Sequence, residues 1–477
     1  MIKKIILHTV FLLCAIIPAH AQTLAEARKL YEQGEYAQAK PVFQRYVRQA
    51  PNNGNYNLWY GVCCLQTGEA EEAVPHLEKA VKRRVPSGQL WLGQAYDKTY
   101  RYEDAISTCE DYIADLKRRR RSTEEADSLL ALFRTHLRML KGVERVCVID
   151  SFVVDKKHFL YAYCLSPQAG KLMSYADYFP HSEKTGTTVF ENELGNKLLY
   201  SEATAEGKQR LLSSTRLLDD WTPGASLQGH FPDTLDIAYP YLMSDGITLY
   251  YASEGPESLG GLDIFVTRYN TQTDAYLRPD NIGMPFNSPY NDYMYVVDEY
   301  ANLGWFASDR HQPADSVCIY VFIPNASKEV YSYEQMDTGQ LRALASLTNL
   351  HDTWTHPETV DKALGRLNEI RNEERQEVNA PKHAFEFIVD DRRAYHQEND
   401  FRSPQALALF RQYLQTRETF MGQCKKLDEL RARYAQSTAD ERASMAPAIL
   451  DLEKRLLQLE SDTKRLAKEV RKAELAP

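Results

Sequence analysis

A pattern of small and large residues recurs three times near the N-terminus, and it constrains the fold of this chain more than any other feature. The first copy is Ala27, Tyr31, Gly34, Tyr36, Ala39, Phe43, Tyr46 and Pro51. The second, 34 residues later, is Gly61, Leu65, Gly68, Ala70, Ala73, Leu77, Ala80 and Val85. The third, a further 32 residues on, is Gly93, Asp97, Tyr100, Tyr102, Ala105, Cys109 and Tyr112. Small residues let helices cross closely and large ones fill the space beside the next helix, so the period predicts stacked helical hairpins.

Two stretches carry the pattern most fully, WYGVCCLQTGEAEEAVPHLEKA and LWLGQAYDKTYRYEDAISTCEDY. They resemble the tetratricopeptide repeat, and the resemblance covers residues 22–115. Gly34 and Gly68 fall at the turn between two helices, where the lack of a Cβ permits a positive φ. A further helix is predicted from Ser122, because Glu125 completes a capping box, and it should end at Gly142. Residues 22–142 are therefore predicted to form an α-solenoid whose last helix caps the stack.

The resemblance to tetratricopeptide repeats implies a concave groove that holds a peptide or a partner helix. In that family the first helix of each repeat lines the groove. The residues at the matching positions are Arg28, Tyr31, Asn55, Gln94 and Asp97. The alternative is that the stack is only a structural spacer.

Residues 143–325 change to short β-rich runs separated by clusters of Gly, Asn, Asp and Pro, which is typical of an all-β module. A turn followed by a strand with a small residue near its end recurs at Ser201, Ser253 and Ser308, spaced by 52 and 55 residues. Together with GGLDIF and NIGMPFNS, these units resemble the WD40-like (TolB-type, PD40) propeller repeats of Bacteroidota envelope proteins. The length suits about four blades. A strand within residues 383–389 is a candidate for closing the ring.

Four polar residues of this region, Asp245, Asp263, Asn287 and Asp292, could suggest a calcium site. Asx side chains more often satisfy the backbone of turns, and the Asp/Asn alternation of an EF-hand is missing. We therefore expect them to stabilise turns and sheets, and we expect no metal or other cofactor.

Residues 326–403 are predicted to be a helical insertion that includes the possible closing strand, and residues 404–477 a helical hairpin or coiled coil. An apolar heptad pattern ends the chain: Ile449, Leu452, Leu456, Leu459, Thr463, Leu466 and Val470. Two interpretations stay open. The heptads either mediate self-association or partner binding, or they pack on the helix of residues 404–434 in an antiparallel hairpin.

The first 21 residues have the organisation of a signal peptide. Lys3 and Lys4 precede an apolar run over residues 5–17, and Ala19 and Ala21 mark a cleavage site before Gln22. No later segment is apolar enough over a sufficient length to span a membrane. The mature chain is thus expected to be exported, periplasmic or associated with the cell surface.

Net charge and missing motifs limit the function classes. The formal charge of -9 argues against general binding to nucleic acid or to an anionic membrane. The motifs HExxH, GxSxG, GxGxxG and the P-loop lysine motif do not occur. The leading hypothesis is a non-catalytic scaffold for protein–protein interaction in a Gram-negative envelope, in the context of secretion or envelope assembly. The alternatives are a propeller-based enzyme acting on carbohydrate or peptide, and a purely structural spacer.

Overall fold

The computed structural model describes residues 23–217, 220–255, 257–379, 385, 387–390 and 393–476. The predicted signal peptide, residues 1–21, lies outside the described residues. The chain divides into two compact units, Met1–Glu374 and Arg375–Pro477. None of the described helices is both long enough and apolar enough to cross a membrane.

Seven helices begin the first unit and form three antiparallel hairpins followed by a single helix. They are α1 (Leu24–Glu32), α2 (Tyr36–Gln49), α3 (Gly54–Gln66), α4 (Ala70–Lys82), α5 (Gly88–Lys98), α6 (Tyr102–Arg118) and α7 (Glu124–Lys141). The residues that define the sequence repeat supply much of the buried core: Ala27, Ala39, Phe43, Ala73, Leu77, Ala80, Ala105 and Cys109. A Cβ on Gly61 would lie only 2.8 Å from Cγ of Leu77, so the small residue is needed where α3 crosses α4. The predicted helical repeats are confirmed.

The start of α7 differs from the prediction. The helix begins at Glu124 and its N-cap residue is Thr123, without a side-chain capping hydrogen bond. The hydroxyl of Ser122 accepts only a long hydrogen bond of 3.4 Å from the N–H of Glu124. The predicted capping box of Ser122 and Glu125 is wrong, because the helix starts one residue too late for Ser122 to cap it.

The central region of the first unit contains fifteen described strands, one short α-helix and two 3-10 helices, Phe159–Ala162 and Pro167–Ala169. The strands are β1 (Cys147–Asp155), β2 (Lys171–Ser174), β3 (Gly186–Glu191), β4 (Lys197–Ala203), β5 (Gln209–Leu217), β6 (Asp220–Trp221), β7 (Ala225–Ser226), β8 (Ile237–Leu242), β9 (Thr248–Ser253), β10 (Asp263–Asn270), β11 (Ala275–Tyr276), β12 (Asp280–Asn281), β13 (Asp292–Asp298), β14 (Leu303–Ser308) and β15 (Ser316–Ile323). The short helix α8 (Tyr175–Tyr178) follows β2.

These strands form three antiparallel sheets. The first has the order β2-β3-β4-β5-β6 with β7 beside β5, the second β8-β9-β10-β11 with β12 beside β10, and the third β13-β14-β15-β1. Ser201, Ser253 and Ser308 lie on β4, β9 and β14, and each of these strands pairs with the strand before it and the strand after it in the chain. The recurring unit therefore marks one strand of each sheet, although the described strands make three sheets rather than the four expected from length.

The three sheets share one apolar core. The ring of Phe190 in the first sheet meets that of Tyr241 in the second, with centroids 5.0 Å apart. The hydroxyl of Tyr241 in turn donates to the backbone oxygen of Val297 in the third sheet, at 2.7 Å. The rings of Tyr239 in the second sheet and Tyr293 in the third also meet, with centroids 5.5 Å apart.

The third sheet is completed by the first strand of the region, since β1 pairs with β15 over eight residue pairs, from Cys147 with Ile323 to Asp155 with Ser316. The helices α9 (Thr338–Ser346) and α10 (Pro357–Asn379) follow. Between them, the indole of Trp354 donates to the backbone oxygen of Val148 at 2.8 Å. This bond satisfies part of the free edge of β1.

The second unit holds β16 (Phe387–Asp390), β17 (Arg393–Tyr395), α11 (Pro404–Gln436) and α12 (Ala439–Glu474). Strand β16 pairs with β17 in a separate two-stranded sheet. The expectation that residues 383–389 close the central region is therefore wrong for the part of that segment that the structure describes.

Helices α11 and α12 form an antiparallel hairpin. Leu427 of α11 packs with Ile449, Leu452 and Leu456 of α12. Nearer the free ends, Phe410 packs in one cluster with Val470. Of the two interpretations of the heptads, the intramolecular hairpin is the one that the structure contains.

Candidate functional site

The first helix of each hairpin, α1, α3 or α5, is the one that the repeat family implies for the groove, and we call the face that these helices form the concave face. Arg28 on α1 is exposed, and its guanidinium lies over the ring of Trp59 on α3, 5.1 Å from the ring centroid. Its charge is also 4.0 Å from the carboxylate of Glu32, one turn away. An arginine stacked on an indole has little conformational freedom left to lose, so this part of the face is ordered before any partner binds.

Tyr31 lies beside this pair but is half-buried. Its ring meets the edges of Phe43 at 6.0 Å and of Tyr36 at 5.5 Å. Burial raises the pKa of Tyr31 well above its usual range, so the hydroxyl stays protonated. Tyr31 thus acts as both a core residue and one wall of the face.

Asn55 and Gln94 were predicted from repeat position alone. Asn55 is exposed on the first turn of α3, and Gln94 is half-buried on α5. Sequence reasoning missed Trp59, which contacts Arg28 and lies one helical turn from Asn55. The i, i+4 spacing on one helix was a usable signal for it.

Asp97 corrects the predicted groove. Its side chain is buried, and its Oδ1 lies 2.5 Å from Nδ1 of His136 on α7. Helix α7 packs on α5 at this level, as the contact between Gly93 and the ring of Phe133 shows. The expectation that Asp97 lines an open groove is wrong, because the capping helix covers it and the carboxylate pairs with His136.

The turn of the third hairpin contacts the sheet region. The ammonium of Lys98 donates to the backbone oxygen of Pro289 and lies 5.6 Å from the ring centroid of Tyr290. Tyr100 occupies the position that is Gly34 and Gly68 in the other hairpins, and like them it has a positive φ, of 58°. The tyrosine is buried in a cluster that includes Met284 of the sheet region and Leu341 of α9. The third turn therefore docks on the sheet region, whereas a Cβ added to Gly34 or Gly68 would point into open space.

Beneath this junction lies a wholly buried ion pair, with Arg310 2.8 Å from Asp292. The guanidinium also donates to the backbone oxygens of Pro285 and Phe286, each at 2.7 Å. Asp292 in turn accepts from the N–H of Ser288 at 2.6 Å. This network fixes the loop that leads into β13 and leaves neither charge open to a ligand.

The other polar residues that could have suggested calcium also bond to the backbone. Asp245 accepts from the N–H groups of Ile247 and Thr248, and Asn287 bonds both backbone groups of Ile264. Asp263 accepts from the N–H groups of Leu259 and Gly260. Burial raises the pKa of the Asp263 carboxyl to about 8, and the nearby charge of Asp292 adds to the effect. The predicted role in stabilising turns and sheets is confirmed for all four residues.

A cavity of about 610 Å³ opens on the second sheet. Its apolar walls include Phe231, Tyr251 and Phe265. At its mouth, Arg278 and Glu257 form an exposed ion pair at 3.2 Å. Most glycosidases use two carboxyl groups that flank one bond, and Glu257 is the only carboxylate among the described residues that line this cavity.

Sequence comparison agrees with the helical geometry. Residues 24–89 and 68–120 match the family model of the tetratricopeptide repeat. Comparison with curated proteins finds no match to this chain. The first unit therefore begins with tetratricopeptide repeats, which indicate a scaffold for protein–protein interaction.

Proposed function

We propose that this protein is an exported, non-catalytic scaffold that holds a polypeptide partner on the concave face of its tetratricopeptide repeats. The observation that carries the proposal is the pair of Arg28 and Trp59, an exposed cation stacked on an aromatic ring on that face. Arginine and tryptophan are enriched among residues that dominate binding energy at protein interfaces. Tyr31 and Asn55 lie on the same two helices and extend the contact surface.

The three sheets serve in this proposal as blades of a propeller-like disc that presents a second surface. Two features support this reading. A corresponding strand of each sheet carries the recurrent serine, and the last sheet contains strands from both ends of the region. Joining the first strand to the last sheet ties the ends of the region together, which stabilises a repeat structure against opening.

The proposed location is the periplasm or cell surface of a Gram-negative bacterium, in the context of secretion or envelope assembly. The signal-peptide pattern over residues 1–21 supports export. The resemblance of the sheet region to PD40 repeats of Bacteroidota envelope proteins supports the envelope.

Site-specific photo-crosslinking tests the groove. In the test variant, a photo-reactive amino acid replaces Asn55 on the concave face. In the matched control it replaces Gln38, which is exposed on α2, the second helix of the first hairpin. Both variants are expressed in the source cells and irradiated. The proposal predicts a defined protein adduct from position 55 that position 38 does not give. Equal adducts from both positions, or none, would overturn it.

A further inference from the structure

Successive helical hairpins place their turns on two opposite edges of the stack. The turns within hairpins, at Gly34, Gly68 and Tyr100, lie on one edge, which docks on the sheet region through the third. The connections between hairpins, residues 50–53, 83–87 and 119–123, lie on the other edge. The first two connections are neighbours, because a Cβ on Gly54 would lie 2.7 Å from Cβ of Arg83.

This second edge is rich in cations although the chain as a whole is acidic, and acidic residues flank only its third connection, at Asp115, Glu124, Glu125 and Asp127. Exposed cations lie at or beside its three connections, namely Arg48, Lys82, Arg83, Arg84 and residues 117–121, and we call this set the basic edge. No aspartate or glutamate occurs in residues 45–68 or 79–96. The electrostatic potential is therefore positive across the first two connections, because their segments contain no acidic residue to neutralise the cations.

Few of these charges have partners within the chain. Arg118 and Arg119 share the carboxylate of Asp115, at 3.1 and 2.9 Å. Within the described residues, Arg83, Arg84, Arg120 and Arg121 form no ion pair.

Helix termini explain only part of the pattern. Basic residues in a last helical turn are stabilised by the helix dipole, which accounts for Lys82 and Arg118. Arg84 and Arg120 lie beyond the helix ends and have φ values of 55° and 51°. Glycine or asparagine adopts this left-handed conformation at lower cost, so helix termination alone does not favour arginine there.

From these observations we infer that the basic edge binds an acidic segment of a partner polypeptide. Guanidinium groups pair with carboxylates through two parallel hydrogen bonds, and arginine is the main cation of this edge. None of the large exposed hydrophobic residues of the described chain lies between residues 23 and 142, so the stack offers no apolar anchor for a lipid bilayer. Neighbouring hairpins lie about 10 Å apart, so three connections span the length of about six extended residues.

The inference goes beyond the proposed groove, since the basic edge is formed by connections between hairpins and the groove by helix faces. A partner could use both surfaces, but each is tested with its own variants. Loss of binding at the basic edge leaves the adduct at position 55 as an independent readout of the groove.

The test measures binding of a fluorescein-labelled octaglutamate peptide to the full mature chain by anisotropy, at low and at physiological salt. In the test variant, Arg83→Gln, Arg84→Asn, Arg120→Asn and Arg121→Gln remove four charges while asparagine suits the two left-handed positions. The control variant removes four exposed charges from α12, by Lys454→Gln, Arg455→Gln, Lys468→Gln and Lys472→Gln.

The inference predicts saturable binding that weakens with salt, and an affinity lower by about tenfold in the test variant but little changed in the control. The thermal midpoint of the test variant should not fall, because two strained arginines are replaced. Absence of binding, or equal loss in both variants, would overturn the inference. Stronger binding to vesicles of anionic phospholipid than to octaglutamate would overturn it in favour of a membrane.

Discussion

The guanidinium of Arg310 lies 2.8 Å from the carboxylate of Asp292, and both side chains are wholly buried. The pair lies under the contact between the third helical hairpin and the sheets, near Tyr100. Removing one member leaves the other charge buried without a counter-charge, which costs far more than an exposed pair contributes.

Arg310→Met is therefore expected to lower the free energy of unfolding by about 3–5 kcal/mol. Chemical denaturation followed by circular dichroism measures this change. The control is Arg278→Met, which breaks an exposed ion pair with Glu257 and should cost less than about 1 kcal/mol. Similar losses in the two variants would show that the buried network does not hold the junction together.

Tyr100 gives a prediction about strain and burial. Its hydroxyl is buried and has no hydrogen-bond partner among the described residues. Tyr100→Phe should therefore leave the thermal midpoint unchanged or raise it, because an unpaired buried hydroxyl is removed. Tyr100→Gly relieves the positive φ but empties a packed site, with an expected net loss of about 2–4 kcal/mol. A clear loss with phenylalanine would mean that the hydroxyl has a partner.

The raised pKa of Asp263 leads to a prediction of how the free energy of unfolding depends on pH. Its pKa is about 8 in the folded chain against a usual value of 3.8. Between these pH values the folded chain keeps a proton that the unfolded chain releases, so the free energy of unfolding falls as pH rises from about 4 to 8. One such proton contributes a slope of at most about 1.4 kcal/mol per pH unit.

The substitution Asp263→Asn should remove this slope, and denaturant titrations of both proteins at several pH values measure it. The readout is the difference in slope, because the substitution also disturbs hydrogen bonds at every pH. Parallel curves for the two proteins would contradict the raised pKa.

Two adjacent leucines of α12 differ in burial within the hairpin of α11 and α12. Leu456 is buried against Leu427, whereas Leu457 is exposed. Leu456→Glu should lower the thermal stability of the helical pair and speed its proteolysis, because a charge enters the helix contact. Leu457→Glu should change neither. Equal effects, or a fall in solution mass with retained stability in Leu456→Glu, would favour self-association through the heptads.

The parts of the fold that the sequence predicts correctly are those that local periodicity determines. The contact of Gly61 with Leu77 follows from spacing along two adjacent helices, so the sequence reveals it directly. The pairing of β1 with β15 joins segments far apart in the chain, and no local pattern encodes that choice of partner. Local sequence therefore allows residues 383–389 equally well as the partner strand, whereas in the structure Phe387–Asp390 pairs with β17.

The groove residues show the same limit, because local sequence does not encode contacts between distant parts of the chain. Arg28 and Asn55 are exposed as repeat position predicts, because exposure of a helix face depends on the helix and its immediate neighbours. The burial of Asp97 depends on His136, a residue on the capping helix outside the repeat pattern. Position within a repeat cannot report contacts made by an element that does not repeat.

The central claim is that the concave face holds a polypeptide partner, and quantitative affinity capture from the cell envelope tests it most directly. The mature chain, the double variant Arg28→Ala with Asn55→Ala, and the control Gln38→Ala are used as baits, and co-purified proteins are quantified by mass spectrometry. The account predicts one protein recovered near stoichiometry with the wild type and with Gln38→Ala, and at least about tenfold less with the double variant at unchanged thermal stability. Equal recovery with all three baits, or no stoichiometric protein with any of them, would contradict it.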